Sequence, residues 1–123
     1  MRVLIVDDSQ IMRKILTGAL KKVGMNEIVE ATNGQEAVEM VHGDDSIGLV
    51  LMDWNMPTMT GLEAVKKIRE NGCKTPIVMV TTEGEKEKVL EAIKSGANDY
   101  MVKPFSPKDI QSKLEKHLVP ADG

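Results

Sequence analysis

Four places in the chain carry groups able to handle a metal ion or a phosphoryl group if the fold gathers them: the paired acids Asp7-Asp8, then Asp53, Thr81 and Lys103. Each closes or directly follows a short apolar run. Val3 to Val6 ends in Asp7-Asp8, Leu49 to Met52 ends in Asp53, Ile77 to Val80 ends in Thr81, and Met101-Val102 ends in Lys103. Three carboxylates brought together repel one another, and without a counter-charge at least one has its pKa raised. A hard divalent cation resolves the conflict: Mg²⁺ takes oxygen ligands at about 2.0–2.1 Å, typically one or two carboxylates plus phosphate oxygen and water. Lys103 adds a second positive charge and Thr81 a hydroxyl donor. Such a set suits the stabilisation of a transferred phosphoryl group by positioning and electrostatics. Taken singly, each residue has a plainer reading: Asp7-Asp8 as helix-capping acids, Asp53 as the cap of a turn, Thr81 as a strand former, Lys103 as a solvated lysine before a turn. What favours chemistry is their joint position.

That position depends on the elements. Leu49 to Met52, between Gly48 and Pro57, suits a strand buried on both faces, as in a parallel sheet. Similar runs predict strands at Val3–Val6, weakly at Ile28-Val29 with Ala31, at Pro76–Thr81 and at Asp99–Val102. Helices are expected between them. The first is capped by Ser9, striped by Ile11, Met12, Ile15, Leu16, Ala19, Leu20 and Val23, and stopped at Gly24. The second starts at Asn33 to Glu36 and ends at Gly43. The third starts at Thr60 with Glu63 and ends at Gly72. For the fourth, Thr82 and Glu85 have capping-box spacing, Val89, Leu90 and Ile93 form the stripe, and Gly96 is the stop. The last begins at Ser106-Pro107 and is striped by Ile110, Leu114 and Leu118. Five alternations predict an α/β fold with parallel strands and helices on both sheet faces. The carboxyl ends of such strands share one edge, where ligands collect.

With 123 residues the chain is expected to be a single domain that folds without staples. A net charge of −3 with scattered lysines argues against nucleic-acid binding through phosphate neutralisation. No apolar run approaches ~20 residues, so no membrane span is expected, and no secretory leader is recognisable after Met1. Cys73, the single cysteine, reads as a loop residue. Met12 and Met40 read as gap-fillers in the core, whereas Met56 and Met59, on the loop after Asp53, read as a mobile contact surface. His42 and His117 read as solvent-facing, without partners at zinc spacing.

Together these residues resemble the receiver domain of bacterial two-component response regulators, and among them the single-domain chemotaxis members. The motifs are Asp7-Asp8, Asp53 with Met56-Pro57 and Gly61 behind it, Thr81, and Lys103-Pro104-Phe105. The likeness covers essentially the whole chain and implies one receiver domain over residues 1–123. It further implies a doubly wound, flavodoxin-like (βα)5 sandwich with strand order 2-1-3-4-5, an order that periodicity alone does not supply. Carried over residue by residue, it makes Asp53 the phospho-acceptor for a histidine kinase. Asp8 becomes a direct Mg²⁺ ligand, Asp7 a ligand through water, and the main-chain carbonyl of Asn55 the remaining protein contribution. Lys103 and Thr81 contact the phosphoryl group. Thr81 and Tyr100 form the switch, and Asn55 and Glu83 tune dephosphorylation. Lys103-Pro104 matches a peptide bond that is cis in the family. Two departures are Thr82, where a smaller residue is usual, and Ser9, where the chemotaxis members carry an aromatic.

The resemblance implies a cytoplasmic monomer that is not an enzyme beyond its own phosphotransfer and autodephosphorylation. Its output is a change in affinity for a protein partner, such as a flagellar motor switch protein in motility. The surface expected to change comprises the fourth helix, fifth strand and last helix, with Lys86, Tyr100, Lys113 and Lys116. A phosphorelay intermediate, or a receiver cut from a larger regulator, is the alternative; Met1 directly before the first strand favours a free-standing protein. A flavodoxin-like redox protein would share the fold, but Asp7-Asp8 has the wrong charge for a flavin phosphate without metal. A haloacid-dehalogenase phosphatase would place its nucleophile after the first strand in an Asp-x-Asp pattern, which this chain lacks.

Overall fold

The computed structural model describes residues 2–54, 56–82, 87–103 and 105–117. Strands and helices alternate as β1 (Arg2–Val6), α1 (Gln10–Lys22), β2 (Ile28–Ala31), α2 (Gly34–Gly43), β3 (Ile47–Asp53), α3 (Gly61–Glu70), β4 (Ile77–Thr81), α4 (Val89–Lys94), β5 (Asp99–Val102) and α5 (Pro107–His117). The sheet order is β2-β1-β3-β4-β5 and every neighbouring pair is parallel, as expected of the resemblance. Strand β3 starts two residues before its apolar run, because Ile47 pairs with Arg2 ahead of a register irregularity and is itself buried.

Alternation along the strands splits the core in two. Leu4, Val6, Val50, Met52 and Met79 pack with Ala37, Val41, Ala64, Val65, Ile68 and Ala92, the inner faces of α2, α3 and α4. On the opposite face Val3, Ile5, Leu49, Leu51, Val78 and Val80 meet Leu16 and Leu20 of α1 with Ile110 and Leu114 of α5. Helix starts follow side-chain chemistry. Ser9 accepts from the Met12 N–H, Asn33 from the Glu36 N–H, and Thr60 and Glu63 exchange hydrogen bonds in a capping box. Each such cap stabilises its helix by about 1 kcal/mol.

Several expectations fail for identifiable reasons. In α1 the proposed stripe was too wide: Ile11 and Ile15 are 73% and 50% exposed. At about 100° per residue they lie too far around the helix from Leu16 and Leu20 to reach the sheet. In α4 the buried residues are Val89 and Ala92, while Leu90 and Ile93 are exposed. Lys88 precedes α4 without a side-chain cap, and the expected partner Glu85 lies outside the described residues, as does Leu118 of the α5 stripe. Met56 is buried in the core, so it is not part of a mobile contact surface, and Met59 is partly buried against that core. Among the described residues, no helix is long and apolar enough to cross a membrane.

Candidate functional site

Because all five strands run the same way, their carboxyl ends bring Asp7, Asp53, Thr81 and Lys103 to one edge. Asp53 and Thr81 are the last residues of β3 and β4; Asp7 and Lys103 directly follow β1 and β5. Asp7, Asp53 and Thr81 are buried and Asp8 is exposed. Asp7, Asp8 and Asp53 each offer a carboxylate oxygen, all within 4.8 Å of one another. Lys103 Nζ lies 3.2 Å from Asp53 Oδ1 and 3.8 Å from Asp7 Oδ2.

This edge is short of positive charge. Asp7 Oδ1 accepts from the Ser9 N–H at 2.8 Å, but among the described residues Asp7 Oδ2 is buried without a hydrogen-bond partner. Burial raises the pKa of Asp7, and the neighbouring Asp8 adds to it against the Ser9 N–H and Lys103. Burial likewise raises that of Asp53, Asp7 adding repulsion and Lys103 opposing it. Among the described residues, one lysine thus serves two buried acids. A buried oxygen without a hydrogen bond in such a cluster is expensive unless something not supplied by the protein pairs with it. A hard cation fits this donor set, since all three groups are oxygen donors of the type Mg²⁺ prefers.

The backbone behind Asp53 is tightly built. The Gly61 N–H donates to the Trp54 carbonyl at 2.9 Å, and a Cβ on Gly61 would stand 2.3 Å from the Asp53 carbonyl oxygen. Only glycine allows α3 to start this close to the acid. In the same loop Thr58 adopts φ 69°, a conformation costly for a β-branched residue. Trp54 is buried immediately after Asp53.

The Thr81 hydroxyl donates to the Thr82 carbonyl at 3.1 Å, so in this conformation it is committed to its own chain. Tyr100 is half-buried, with Lys113 Nζ 5.9 Å from its ring centroid. It borders a cavity of about 440 Å³ lined also by Met101, Val102, Asp109, Ser112 and Lys113. Asn55, Glu83, Lys86 and Pro104 lie outside the described residues.

Two features escaped the sequence reading. Asp99, the first residue of β5, accepts from His117 Nε2 at 3.0 Å, from Lys113 at 3.1 Å and from the Tyr100 N–H at 2.8 Å, with Lys116 at 3.2 Å. His117 is therefore not solvent-facing: its side chain is 11% exposed and turned onto Asp99. Arg13 of α1 donates from Nη1 to the Asp7 main-chain carbonyl at 2.7 Å and from Nε to Glu30 at 2.9 Å. A basic residue one turn into the helix after paired acids was the available signal for Arg13. For Asp99 there was only the basic end of a helix beginning eight residues later.

Residues 3–115 match the family described as the response regulator receiver domain. Among curated proteins, the chain is 43% identical to the chemotaxis protein CheY homolog of Campylobacter jejuni, covering all of this chain and 96% of the relative. It is 44% identical to chemotaxis protein CheY1 of Helicobacter pylori, covering 94% of each. Among solved structures, Vibrio cholerae chemotaxis protein CheY4 superposes with a TM-score of 0.84 at 37% identity, over 94% of this chain and 97% of that one. The receiver domain of sensor histidine kinase PA1611 from Pseudomonas aeruginosa, solved with a magnesium ion coordinated in its active-site cleft, gives a TM-score of 0.84 at 26% identity, over 95% and 96% of the two chains.

Proposed function

The chain belongs to the response regulator receiver domain family, and from that premise we propose that it is a single-domain, cytoplasmic chemotaxis switch phosphorylated on Asp53 by a histidine kinase. The observation that carries this reading is the under-neutralised acid cluster: Asp53 beside Lys103, and the buried Asp7 Oδ2 without a hydrogen-bond partner among the described residues. A carboxylate oxygen of Asp53 attacks the phosphorus of the kinase phosphohistidine. The new P–O bond forms as the P–N bond breaks, and the imidazole leaves as its nitrogen takes a proton from solvent. Lys103, already at Asp53, stabilises the charge on the phosphoryl oxygens. Asp7, Asp8 and Asp53 would hold a Mg²⁺ ion, with the Asn55 main-chain carbonyl as the further ligand that the family resemblance implies, and the ion would supply the remaining charge neutralisation. Water later attacks the acyl phosphate, releasing phosphate and restoring Asp53, with Asn55 and Glu83 tuning the rate.

The switch follows from Thr81. Its hydroxyl leaves the Thr82 carbonyl for a phosphoryl oxygen, and Tyr100 moves into the space released. A phosphoryl group shifts the conformational equilibrium only through contacts it makes better in one state; this exchange of partners is such a contact. The output surface is formed by α4, β5 and α5 around Tyr100, Lys113 and Lys116. It binds a downstream protein in chemotaxis, in line with the chemotaxis relatives, and the family resemblance suggests a flagellar motor switch component. Incubation with acetyl phosphate and Mg²⁺ is expected to add one phosphoryl group to the parent and none to Asp53→Asn, read by intact-protein mass. Equal labelling of that variant would place the acceptor elsewhere.

A further inference from the structure

We propose that Arg13 is a positioning residue for the divalent cation, acting by fixing the peptide plane that joins Asp7 to Asp8; the proposal rests on the metal reading above. The carbonyl of Asp7 and the N–H of Asp8 belong to one rigid planar unit. Rotating that unit changes where Asp8 points. The unit before it is held from β2, since the Asp7 N–H donates to the Ala31 carbonyl at 3.2 Å. The Asp7 side chain is held by the Ser9 N–H. The joining unit is held by Arg13, through the 2.7 Å hydrogen bond to the Asp7 carbonyl.

Arg13 is itself oriented from the far side. Glu30 on β2 accepts from Nε at 2.9 Å, so the guanidinium spans from β2 to the acid loop. The Arg13 side chain is 13% exposed, against 49% for Glu30. A surface pair of this kind contributes little stability by itself. Its geometry matters more than its energy, because one planar fork meets a carboxylate and a carbonyl together. A lysine offers a point charge without that fork. Asp8 is exposed, so its aim depends on the backbone beneath it.

Charge and position make opposite demands. A cation near a metal site repels the metal, so if Arg13 acted only through its charge, removing it would tighten Mg²⁺ binding. If it acts by holding the Asp7–Asp8 peptide, removing it loosens binding, as loss of groups that orient metal ligands generally does, by roughly 10–100-fold. The sign of the change separates the two.

The test is a Mg²⁺ titration of the parent, Arg13→Ala, Arg13→Lys and Glu30→Gln, read by Trp54 fluorescence and independently by titration calorimetry. Metal-free thermal unfolding is measured alongside. Arg13→Ala is expected to weaken Mg²⁺ by roughly tenfold or more, Arg13→Lys to remain weakened, and Glu30→Gln to show a smaller loss in the same direction. Unchanged or tighter affinity in the folded Arg13 variants overturns the proposal, as does a lowered melting midpoint with parent affinity, which marks a merely structural contact. Should Arg13→Ala fail to fold, Arg13→Lys decides, because it keeps the charge and loses the fork: parent affinity in that variant overturns the proposal. A parent that binds no Mg²⁺ by either readout overturns the metal reading and the Arg13 proposal with it. A parent that binds while the variants bind equally well sinks the Arg13 proposal alone.

Discussion

Asp53 and Asp99 are buried to the same degree, 8% and 7% exposed, at opposite edges of one sheet, yet their surroundings are opposite. Asp53 ends β3 beside two further acids and, among the described residues, shares a single lysine with Asp7. Asp99 begins β5 with Lys113, Lys116 and His117 around it. Burial raises the pKa of Asp53, with repulsion from Asp7 added. Burial acts on Asp99 in the same direction, but the hydrogen bonds from His117, the Tyr100 N–H, Lys113 and Lys116 outweigh it and hold the carboxyl well below the ordinary range. Burial alone therefore says little about what a carboxylate does. A buried acid with its charge answered locks two elements together, here β5 to α5. A buried acid left short of positive charge is suited to bind what the protein does not supply.

Neutralising each acid should break the symmetry most sharply. Asp99→Asn keeps the shape but weakens several charge-assisted hydrogen bonds, and is expected to cost about 2 kcal/mol in denaturant unfolding while leaving acetyl phosphate labelling intact. Asp53→Asn removes a repulsion, and is expected to gain about 1 kcal/mol in metal-free protein while losing all labelling. A loss of stability on neutralising Asp53 would contradict the charge deficit.

The pH dependence gives a second, smaller contrast. Asp99 has a lowered folded pKa, so its contribution to stability is complete above its unfolded value near 3.8 and is lost as pH falls through the folded pKa. Asp7 and Asp53 have raised folded pKa values, so their ionisation penalty is complete above those values. It is relieved as pH falls through them toward 3.8. Metal-free protein should thus gain from this pair on mild acidification, a gain that Asp53→Asn should diminish and saturating Mg²⁺ should remove. Stability curves of parent, Asp53→Asn and Asp99→Asn between neutral pH and pH ~3 measure it. Identical slopes for the parent and Asp53→Asn above the ordinary carboxylate range would refute the assignment.

The smallest effect concerns the backbone behind Asp53. Thr58 at φ 69° holds a conformation that Asn tolerates better. Thr58→Asn is expected to raise stability by about 0.5–1 kcal/mol with little change in labelling. A drop in labelling would show that the strain helps set the position of Asp53.

The amino-acid pattern was enough to order the elements and to bring Asp7, Asp53, Thr81 and Lys103 to one edge. The reason is that each residue ends or follows an apolar run, and alternation of strand with helix makes the runs parallel, so their ends coincide. The strand order came from the family resemblance and agrees with the observed sheet. Local chemistry also sufficed for the starts of α1, α2 and α3, where cap and partner lie within a few residues of each other. What the tertiary structure alone decided involves partners distant in sequence. Ile11 and Ile15 belong to α1's apolar set, but only the sheet's position showed that Leu16 and Leu20 face it. Met56 looked like loop surface until the core closed over it. His117 and Asp99 are 18 positions apart, and Arg13 and Glu30 are 17 apart. Periodicity specifies the direction in which a side chain leaves its own element. What stands in that direction depends on how the other elements pack, and on that the charge balance at each acid depends.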